Sequence, residues 1–280
     1  MTASRSQPSA RGYYTRPADA TAESIDVAGA AIAYRIDGPA GAPLLVLANS
    51  LGTNFMMWDP QMPSLAARFR VLRYDSRGHG VSTVGNMPYT IERLAGDVLA
   101  LLDHVREPIA HFCGLSVGGM VGMWLGAHAA SRIDRLILCN TAPRIGTPAR
   151  WNARIDAVRR GGLQAIAGGV LDGWFTPKFR ERAPETARRL RDMLTATSID
   201  GYLASCAAIR DVDQWDSISA IDRPTLVIAG THDAPAPPSD GRRMAQTIGG
   251  AQYVELDAAH ISNVEAADGF NAEVMQFLDN

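Results

Sequence analysis

Short apolar runs alternate with longer stretches of helical periodicity along most of this chain. The apolar runs that predict buried strands cover residues 44–48, 71–74, 109–113, 224–229 and 251–256. The helical stretches cover residues 89–105, 117–129, 239–248 and 264–278. Alternating strands and helices are typical of a mostly parallel sheet that is covered by helices on both faces.

The start of the chain departs from this pattern. Residues 25–27 and 30–36 predict an antiparallel hairpin at the sheet edge. The segment before them, residues 1–24, is rich in Ser, Ala, Arg and Pro and lacks the apolar region of a secretion signal. We expect this segment to be a disordered tail.

The stretch between Thr141 and Asp222 shows helical periodicity and no convincing strand. Its apolar stripes are Trp151, Ile155 and Val158, followed by Leu163, Ile166, Val170 and Leu171. We predict that residues 144–211 form a helical cap inserted over one edge of the sheet. Residues 25–143 and 212–280 would then form the core, and the cap would exclude water from chemistry at that edge.

Composition narrows the class of protein. With 280 residues, 46% hydrophobic and 20% charged, the chain can bury a large core in one or two domains. A net charge of −2 gives no electrostatic case for binding nucleic acid or an anionic membrane. Cys113, Cys139 and Cys206 are typical of small core residues in a reducing, cytoplasmic compartment. The sequence contains no motif typical of metal or cofactor binding, so we predict that the protein uses no metal and no cofactor.

The sequence Gly-Leu-Ser-Val-Gly at residues 114–118 matches the G-x-S-x-G pattern of a nucleophile elbow. It follows the apolar run at 109–113 and precedes a helix of small residues at 120–129, which is the strand–turn–helix context that the elbow requires. The pattern alone occurs by chance in many chains, but this context favours Ser116 as a nucleophile.

A serine nucleophile needs an acid and then a histidine later in the chain, each after a strand. The strand at 224–229 runs into Asp233, and the strand at 251–256 runs into His260. Both side chains are therefore predicted at the carboxyl ends of strands, where open α/β sheets place their chemistry. We predict a catalytic triad of Ser116, Asp233 and His260.

Other candidates for the acid and the base are weaker. Asp257 is a rival acid, but it precedes the histidine by only three residues and more simply supports its loop. Of the other histidines, His232 could line the site, and the rest fit structural or surface roles: His79, His104, His111 and His128.

An oxyanion hole completes this kind of machinery. The apolar run at 44–48 ends in Asn-Ser-Leu-Gly-Thr at 49–53. In this architecture one donor is the N–H after the nucleophile and the other comes from the loop after the third strand. That assigns the backbone N–H groups of Val117 and Leu51, although an ordinary turn at 49–53 is a compatible interpretation.

These motifs resemble those of the 3-oxoadipate enol-lactonases, a family of the α/β-hydrolase superfamily that serves bacterial breakdown of aromatic compounds. The Asn-Ser-Leu-Gly segment at 49–52, Cys-Asn-Thr-Ala at 139–142 and Ala-His-Ile-Ser-Asn at 259–263 narrow the resemblance to the lactonases. Further matching segments lie at 57–61, 71–80, 112–119, 230–233 and 253–258. The proline-rich segment at 234–238 departs from the family pattern. The resemblance implies an eight-stranded α/β-hydrolase fold with a helical cap. It also implies that the protein is a serine hydrolase that opens the lactone ring of 3-oxoadipate enol-lactone.

The family's substrate is a small acidic lactone, so the resemblance also implies a cationic partner for a carboxylate. Arginine suits this role because its guanidinium pairs with a carboxylate through two hydrogen bonds. Arg144, at the predicted entry to the cap, is our candidate, with Trp151 as an apolar wall.

Other functions remain open at this level. The same scaffold carries carboxylesterases, carbon–carbon bond hydrolases and cofactor-free perhydrolases. A binding protein without activity is a further alternative, which an intact triad disfavours. The oligomeric state is left undecided by the sequence.

Overall fold

The computed structural model describes residues 22–279, and an eight-stranded sheet runs through them in the order β1-β2-β4-β3-β5-β6-β7-β8. The strands are β1 Glu23–Val27, β2 Ala30–Asp37, β3 Leu44–Ala48, β4 Arg70–Tyr74, β5 Ala110–Leu115, β6 Ile133–Cys139, β7 Thr225–Gly230 and β8 Gln252–Leu256. Strand β2 is antiparallel to β1 and β4, and every other pairing is parallel. The mostly parallel sheet and its edge hairpin are thus confirmed. The predicted tail falls largely on residues 1–21, which lie outside the described residues.

Helices cover both faces of the sheet, as the alternation of strands and helices predicts. They are α1 Met62–Leu65, α2 Ile91–His104, α3 Val117–His128, α4 Pro148–Gly161, α5 Gln164–Trp174, α6 Pro177–Arg182, α7 Pro184–Ala196, α8 Ile199–Asp211, α9 Pro238–Thr247, α10 Ser262–Glu265 and α11 Ala267–Asp279. Helix α3 packs on β5, β6 and α2, and α11 packs on β8 and α1. Short 3₁₀ helices lie at Phe55–Gln61, Ala130–Arg132 and Ser217–Ala220.

The central strands are uninterrupted apolar runs because both of their faces are covered. All five residues of β3 are buried, and so are all six of β5. The edge strand β1 contains no fully buried residue. At the centre of the sheet β3 lies between β4 and β5, so the strand that follows β3 in the chain lies on one side of it and the next strand lies on the other. Ligands of open α/β sheets bind beyond the carboxyl ends of strands at such a switch point.

Helices α4 to α8 follow one another between β6 and β7, and we call residues 148–211 the cap. Hydroxyl side chains start several of these helices: Thr147 accepts a hydrogen bond from Arg150 N, and Thr176 accepts one from Phe179 N. The cap lies against the core at Gly78, where an added Cβ would come within 2.4 Å of Gly201 Cα. The inserted helices are confirmed, whereas the domain division at residues 144 and 211 stays a prediction.

Within residues 22–279, no helix is long and apolar enough to cross a membrane. The same part of the chain contains no group of three or more His, Cys, Asp or Glu side chains that could hold a metal ion.

Candidate active site

Ser116 lies in the sharp turn between β5 and α3, with φ 59° and ψ −117°. A side chain other than hydrogen rarely fits such a conformation, and holding it costs backbone strain. The flanking glycines make the turn possible. A Cβ at Gly114 would lie 2.1 Å from Gly118 O, and one at Gly118 would lie 2.3 Å from Ala48 O. The structure therefore has the elbow geometry that the G-x-S-x-G pattern predicts.

Hydrogen bonds hold the backbone of this turn on both sides. Ser116 N donates to Cys139 O at 2.9 Å, and the Thr141 hydroxyl donates to Ser116 O at 2.7 Å. The Ser116 side chain itself makes no hydrogen bond with any residue between 22 and 279. Its hydroxyl is thus available to a substrate or a base.

Asp233 and His260 meet at the carboxyl ends of β7 and β8. His260 Nδ1 lies 3.0 Å from Asp233 Oδ1 and 2.9 Å from Asp233 Oδ2, and both residues are buried. An ionised carboxylate only accepts hydrogen bonds, so Nδ1 carries the hydrogen and Nε2 is left as a free acceptor. This is the tautomer that a general base needs.

The rival acid lies elsewhere. Asp257 Oδ1 is 2.8 Å from His232 Nε2, and the Asp257 side chain is 90% exposed. Both residues line an open surface groove rather than the space around Ser116. Asp233, and not Asp257, contacts the histidine that the chain order selects.

Asn140 supports the acid, a role that its sequence pattern does not predict. It directly follows β6 with φ 46°, a left-handed conformation that asparagine tolerates better than most residues. Its Nδ2 donates to Asp233 Oδ2 at 3.0 Å and to Ala259 O at 3.1 Å. The Ser262 hydroxyl donates to its Oδ1. The Cys-Asn-Thr segment at the end of β6 marks this position in the sequence. The sequence does not show that the Asn140 side chain connects the loops that carry Asp233 and His260.

Ser116 and His260 line one cavity between the sheet edge and the cap, and this cavity is partly open to solvent. No hydrogen bond joins the two side chains in the described part of the chain. Contacts between a nucleophile and its base often tighten only when substrate is bound, so sharing one cavity is compatible with a triad. The cap contributes most of the remaining wall, including Arg150, Trp151, Arg154, Val170, Trp174 and Tyr202.

Of the two predicted oxyanion donors, one belongs to a residue that lines this cavity and the other to the residue that follows the nucleophile. Leu51 lines the cavity, and Val117 is the residue after Ser116 at the first position of α3. Neither N–H donates to another group among residues 22–279. Unpaired backbone donors next to a nucleophile are what an oxyanion hole consists of. Their role stays a prediction.

The residues predicted to bind substrate fall in different places. Trp151 lies in the cavity wall and donates from Nε1 to Ile145 O at 2.6 Å. Arg144 is outside the lining residues, where its half-exposed guanidinium lies 3.3 Å from Asp213 Oδ2. The structure favours Arg150 and Arg154 over Arg144 as partners of a bound anion. Arg144 lies in the loop before α4, which begins at Pro148, and its side chain pairs with Asp213, whereas Arg150 and Arg154 lie on the helix.

The cavity is electrostatically positive. Arg150 and Arg154 line it, no lining residue is acidic, and neither arginine pairs with a carboxylate among the described residues. The Arg154 guanidinium lies over the Trp151 ring, 5.2 Å from its centroid. Burial raises the pKa of Tyr202, and the nearby Arg154 opposes this, so the phenol stays protonated and can donate. Such a wall suits a small anion with an apolar body.

Comparisons with known proteins agree with this geometry. The model of the alpha/beta hydrolase fold family matches residues 43–267. Two proteins of Acinetobacter baylyi are similar: 3-oxoadipate enol-lactonase 2 is 40% identical, covering 90% of this chain and 94% of its own, and 3-oxoadipate enol-lactonase 1 is 38% identical, covering 86% and 91%. The crystal structure of the enol-lactonase from Burkholderia xenovorans LB400 has a TM-score of 0.91 and 49% identity, covering 92% of this chain and all of that one. Together with the elbow, the strand-end acid and histidine and the sheet order, these similarities show that this chain belongs to the α/β-hydrolase family, with its resemblance to the enol-lactonases extending over nearly its whole length.

Proposed function

We propose that this protein is a serine hydrolase that opens the lactone ring of 3-oxoadipate enol-lactone to give 3-oxoadipate in bacterial aromatic catabolism. The observation that carries this proposal is one cavity lined by Ser116 and His260 together with two arginines, neither of which pairs with a carboxylate within residues 22–279. The names of the relatives supply the substrate, and the charge of the cavity independently favours an acidic one.

The first half of the reaction would form an acyl-enzyme. Ser116 Oγ attacks the lactone carbonyl carbon while His260 Nε2 takes the hydroxyl proton. The negative charge on the carbonyl oxygen would be held by the N–H groups of Leu51 and Val117, which need no reorganisation. Asp233 stabilises the imidazolium that forms. The ring C–O bond then breaks as the His260 imidazolium gives its proton to the leaving enol oxygen, which stays tethered to the acyl group.

The second half would release the product. Water attacks the acyl carbon, His260 takes a proton from that water, and the bond to Ser116 Oγ breaks as Oγ is reprotonated. The free enol then becomes the ketone by moving one proton from oxygen to carbon. Every atom of water ends in the keto acid, and no oxidant, metal or cofactor is consumed.

The carboxylate of the substrate would be held by the cap. Arg150 and Arg154 are four residues apart on α4, so both project from the same side of the helix. Tyr202 adds a protonated hydroxyl beside Arg154. Replacing water around a carboxylate by fixed donors preserves its charge and orients the lactone carbonyl toward the elbow.

We also propose that residues 144–211 act as a cap domain that excludes bulk water from the acyl-enzyme. A cytoplasmic location is part of the proposal, because Cys113, Cys139 and Cys206 are all free and buried. Unpaired thiols of this kind are typical of reducing compartments.

The direct test is ultraviolet-monitored hydrolysis of 3-oxoadipate enol-lactone by the wild type and by Ser116→Ala. Losing the nucleophile should lower kcat by about a millionfold. The folded structure should persist, because no described residue bonds to the Ser116 hydroxyl. Aryl esters and dienoic diketones, assayed in parallel, should be poorer substrates than the lactone. If an ester or a diketone has the highest kcat/KM, the protein is a carboxylesterase or a carbon–carbon bond hydrolase instead.

A further inference from the structure

The segment that carries His260 is hydrogen-bonded to the cap directly on one side of the histidine and through the Glu265 side chain on the other. Ile261 N donates to Trp174 O at 3.1 Å. Ala259 N donates to the Glu265 side chain at 2.9 Å from Oε2. Trp174 ends α5 and lines the cavity around Ser116, so this connection starts in the wall that a substrate would touch.

Glu265 extends the connection on the Ala259 side. Its carboxylate accepts from Thr176 N, at 3.2 Å from Oε1 and 3.3 Å from Oε2, and also from the Thr176 hydroxyl. Thr176 lies two residues after Trp174, in the turn between α5 and α6. One carboxylate therefore bridges a turn of the cap to the residue that precedes His260.

The environment of Glu265 is unusual for a carboxylate. The residue is only 8% exposed, and no arginine, lysine or histidine within residues 22–279 forms an ion pair with it. Burying a carboxylate is costly unless its oxygens are hydrogen-bonded. Here two N–H groups and one hydroxyl supply that compensation, and two of the three come from the cap. The two N–H groups can only donate, and the hydroxyl can donate as well, so the site suits a carboxylate, which accepts on both oxygens.

We propose that Glu265 is a positioning residue that couples the seating of the cap turn at Trp174–Thr176 to the placement of the His260 imidazole. This rests on the proposed roles of Ser116 and His260. The imidazole must remain bonded to Asp233 while Nε2 comes within reach of the serine hydroxyl. A displacement of the cap turn would move Ala259 and Ile261 together, and with them the ring between them. Substrate that packs on Trp174 would thereby also set the base.

The test uses a reaction that depends on the base but not on the substrate. The rate at which a fluorophosphonate labels Ser116 should fall by about tenfold to a hundredfold in Glu265→Gln and in Thr176→Val, because a misplacement of about 1 Å costs about a hundredfold. With the lactone, kcat should fall by the same factor while KM changes little, the sign of an interaction made in the transition state. Thr176→Ser, which keeps the hydroxyl, should restore the rate.

Matched controls separate positioning from a general loss of helix capping or of charge. Thr90 caps α2 as Thr176 caps α6, accepting from Arg93 N at 3.1 Å, and it lies outside the site. Glu185 is an exposed carboxylate at the start of α7. Thr90→Val and Glu185→Gln should label at the wild-type rate.

The proposal is overturned if the Glu265 and Thr176 variants label as fast as these controls, or if Thr176→Ser is as slow as Thr176→Val. Should Glu265→Gln fail to fold, the Thr176 pair decides alone. The assay also separates this proposal from the substrate assignment. If the wild type is labelled readily but does not open the lactone, the assignment of the substrate is wrong. The labelling rates of the variants would still test whether Glu265 positions His260.

Discussion

The carboxyl edge of the sheet and the cap above it contribute to one cavity by different means. At the sheet edge, Ser116, Asp233 and His260 each follow a strand, and parallel pairing brings those strand ends together. In the cap, Arg150 and Arg154 line the cavity from one side of α4, which packs on α8 and α5. Topology fixes the first set of positions, and helix packing fixes the second. We therefore expect the residues at the sheet edge to determine whether the reaction occurs. We expect the residues of the cap to determine which molecules bind in the cavity.

The largest effect should come from the acid at the sheet edge. Asp233 Oδ1 accepts a hydrogen bond from Ala236 N, and Asp233 Oδ2 accepts one from Asn140 Nδ2. His260 Nδ1 lies within hydrogen-bond distance of both oxygens. Asp233→Asn would set an amide N–H against one of these donors and favour the wrong histidine tautomer, so kcat should fall by about ten thousandfold. The measurement is steady-state hydrolysis of the lactone.

Asp257→Asn is the matched control, since Asp257 is the acid nearest to His260 in the sequence and pairs with His232 instead. It should change kcat by less than about twofold, as exposed ion pairs contribute little. A larger loss in Asp257→Asn than in Asp233→Asn would reverse the assignment of the acid.

The core and the cap should also differ in how their stability depends on pH. Burial raises the pKa of Asp75, which follows β4, to about 6, although bonds from Val81 N and Phe55 N and the charge of Arg73 oppose the shift. An acid with a raised pKa in the folded state binds protons more tightly there than in the unfolded chain. Its contribution to stability is therefore present at low pH and lost as pH rises from about 4 through 6.

Relative to Asp75→Asn, the unfolding free energy of the wild type should fall by about 2 kcal/mol between pH 4 and pH 7. Urea titrations at pH 4, 5, 6 and 7 measure it. Asp192→Asn, a change of an exposed carboxylate on the cap helix α7, should run parallel to the wild type. If the Asp75 difference is flat or rises with pH, the buried core carboxyl does not titrate as described.

A smaller effect is expected from the arginines of the cap. Arg154→Ala or Arg150→Ala should raise KM for the acidic lactone by about tenfold or more, because a hydrogen bond to a charged group contributes about 1.5–3 kcal/mol. KM for a neutral ester should change by less than about twofold.

Arg144→Ala removes the same charge from outside the cavity and should leave both Michaelis constants near the wild-type values. If Arg144→Ala weakens binding of the acidic lactone and the Arg150 and Arg154 variants do not, the cap arginines do not select the substrate.

This comparison also explains what the sequence could predict. A strand is recognisable from a local apolar run, and the order of its chain neighbours places Ser116, Asp233 and His260 at one edge without further information. Asn140 and Glu265 escaped prediction because each acts through loops that are far away in the sequence. The place of Arg144 after β6 favours it as the anion partner, whereas the arginines that line the cavity, Arg150 and Arg154, lie on α4. The spacing of Arg150, Trp151 and Arg154 was visible in the sequence, but the face of α4 that turns inward depends on packing against α8.

The most direct test of this division is to compare 3-oxoadipate enol-lactone with its methyl ester as substrates of the wild-type protein. The ester keeps the reacting ring and loses only the charge. We predict that kcat stays within a few fold and that KM rises by about tenfold, the loss of one charge-assisted contact. Equal Michaelis constants for the two compounds would contradict the account, because the cap would then not be selecting the anion.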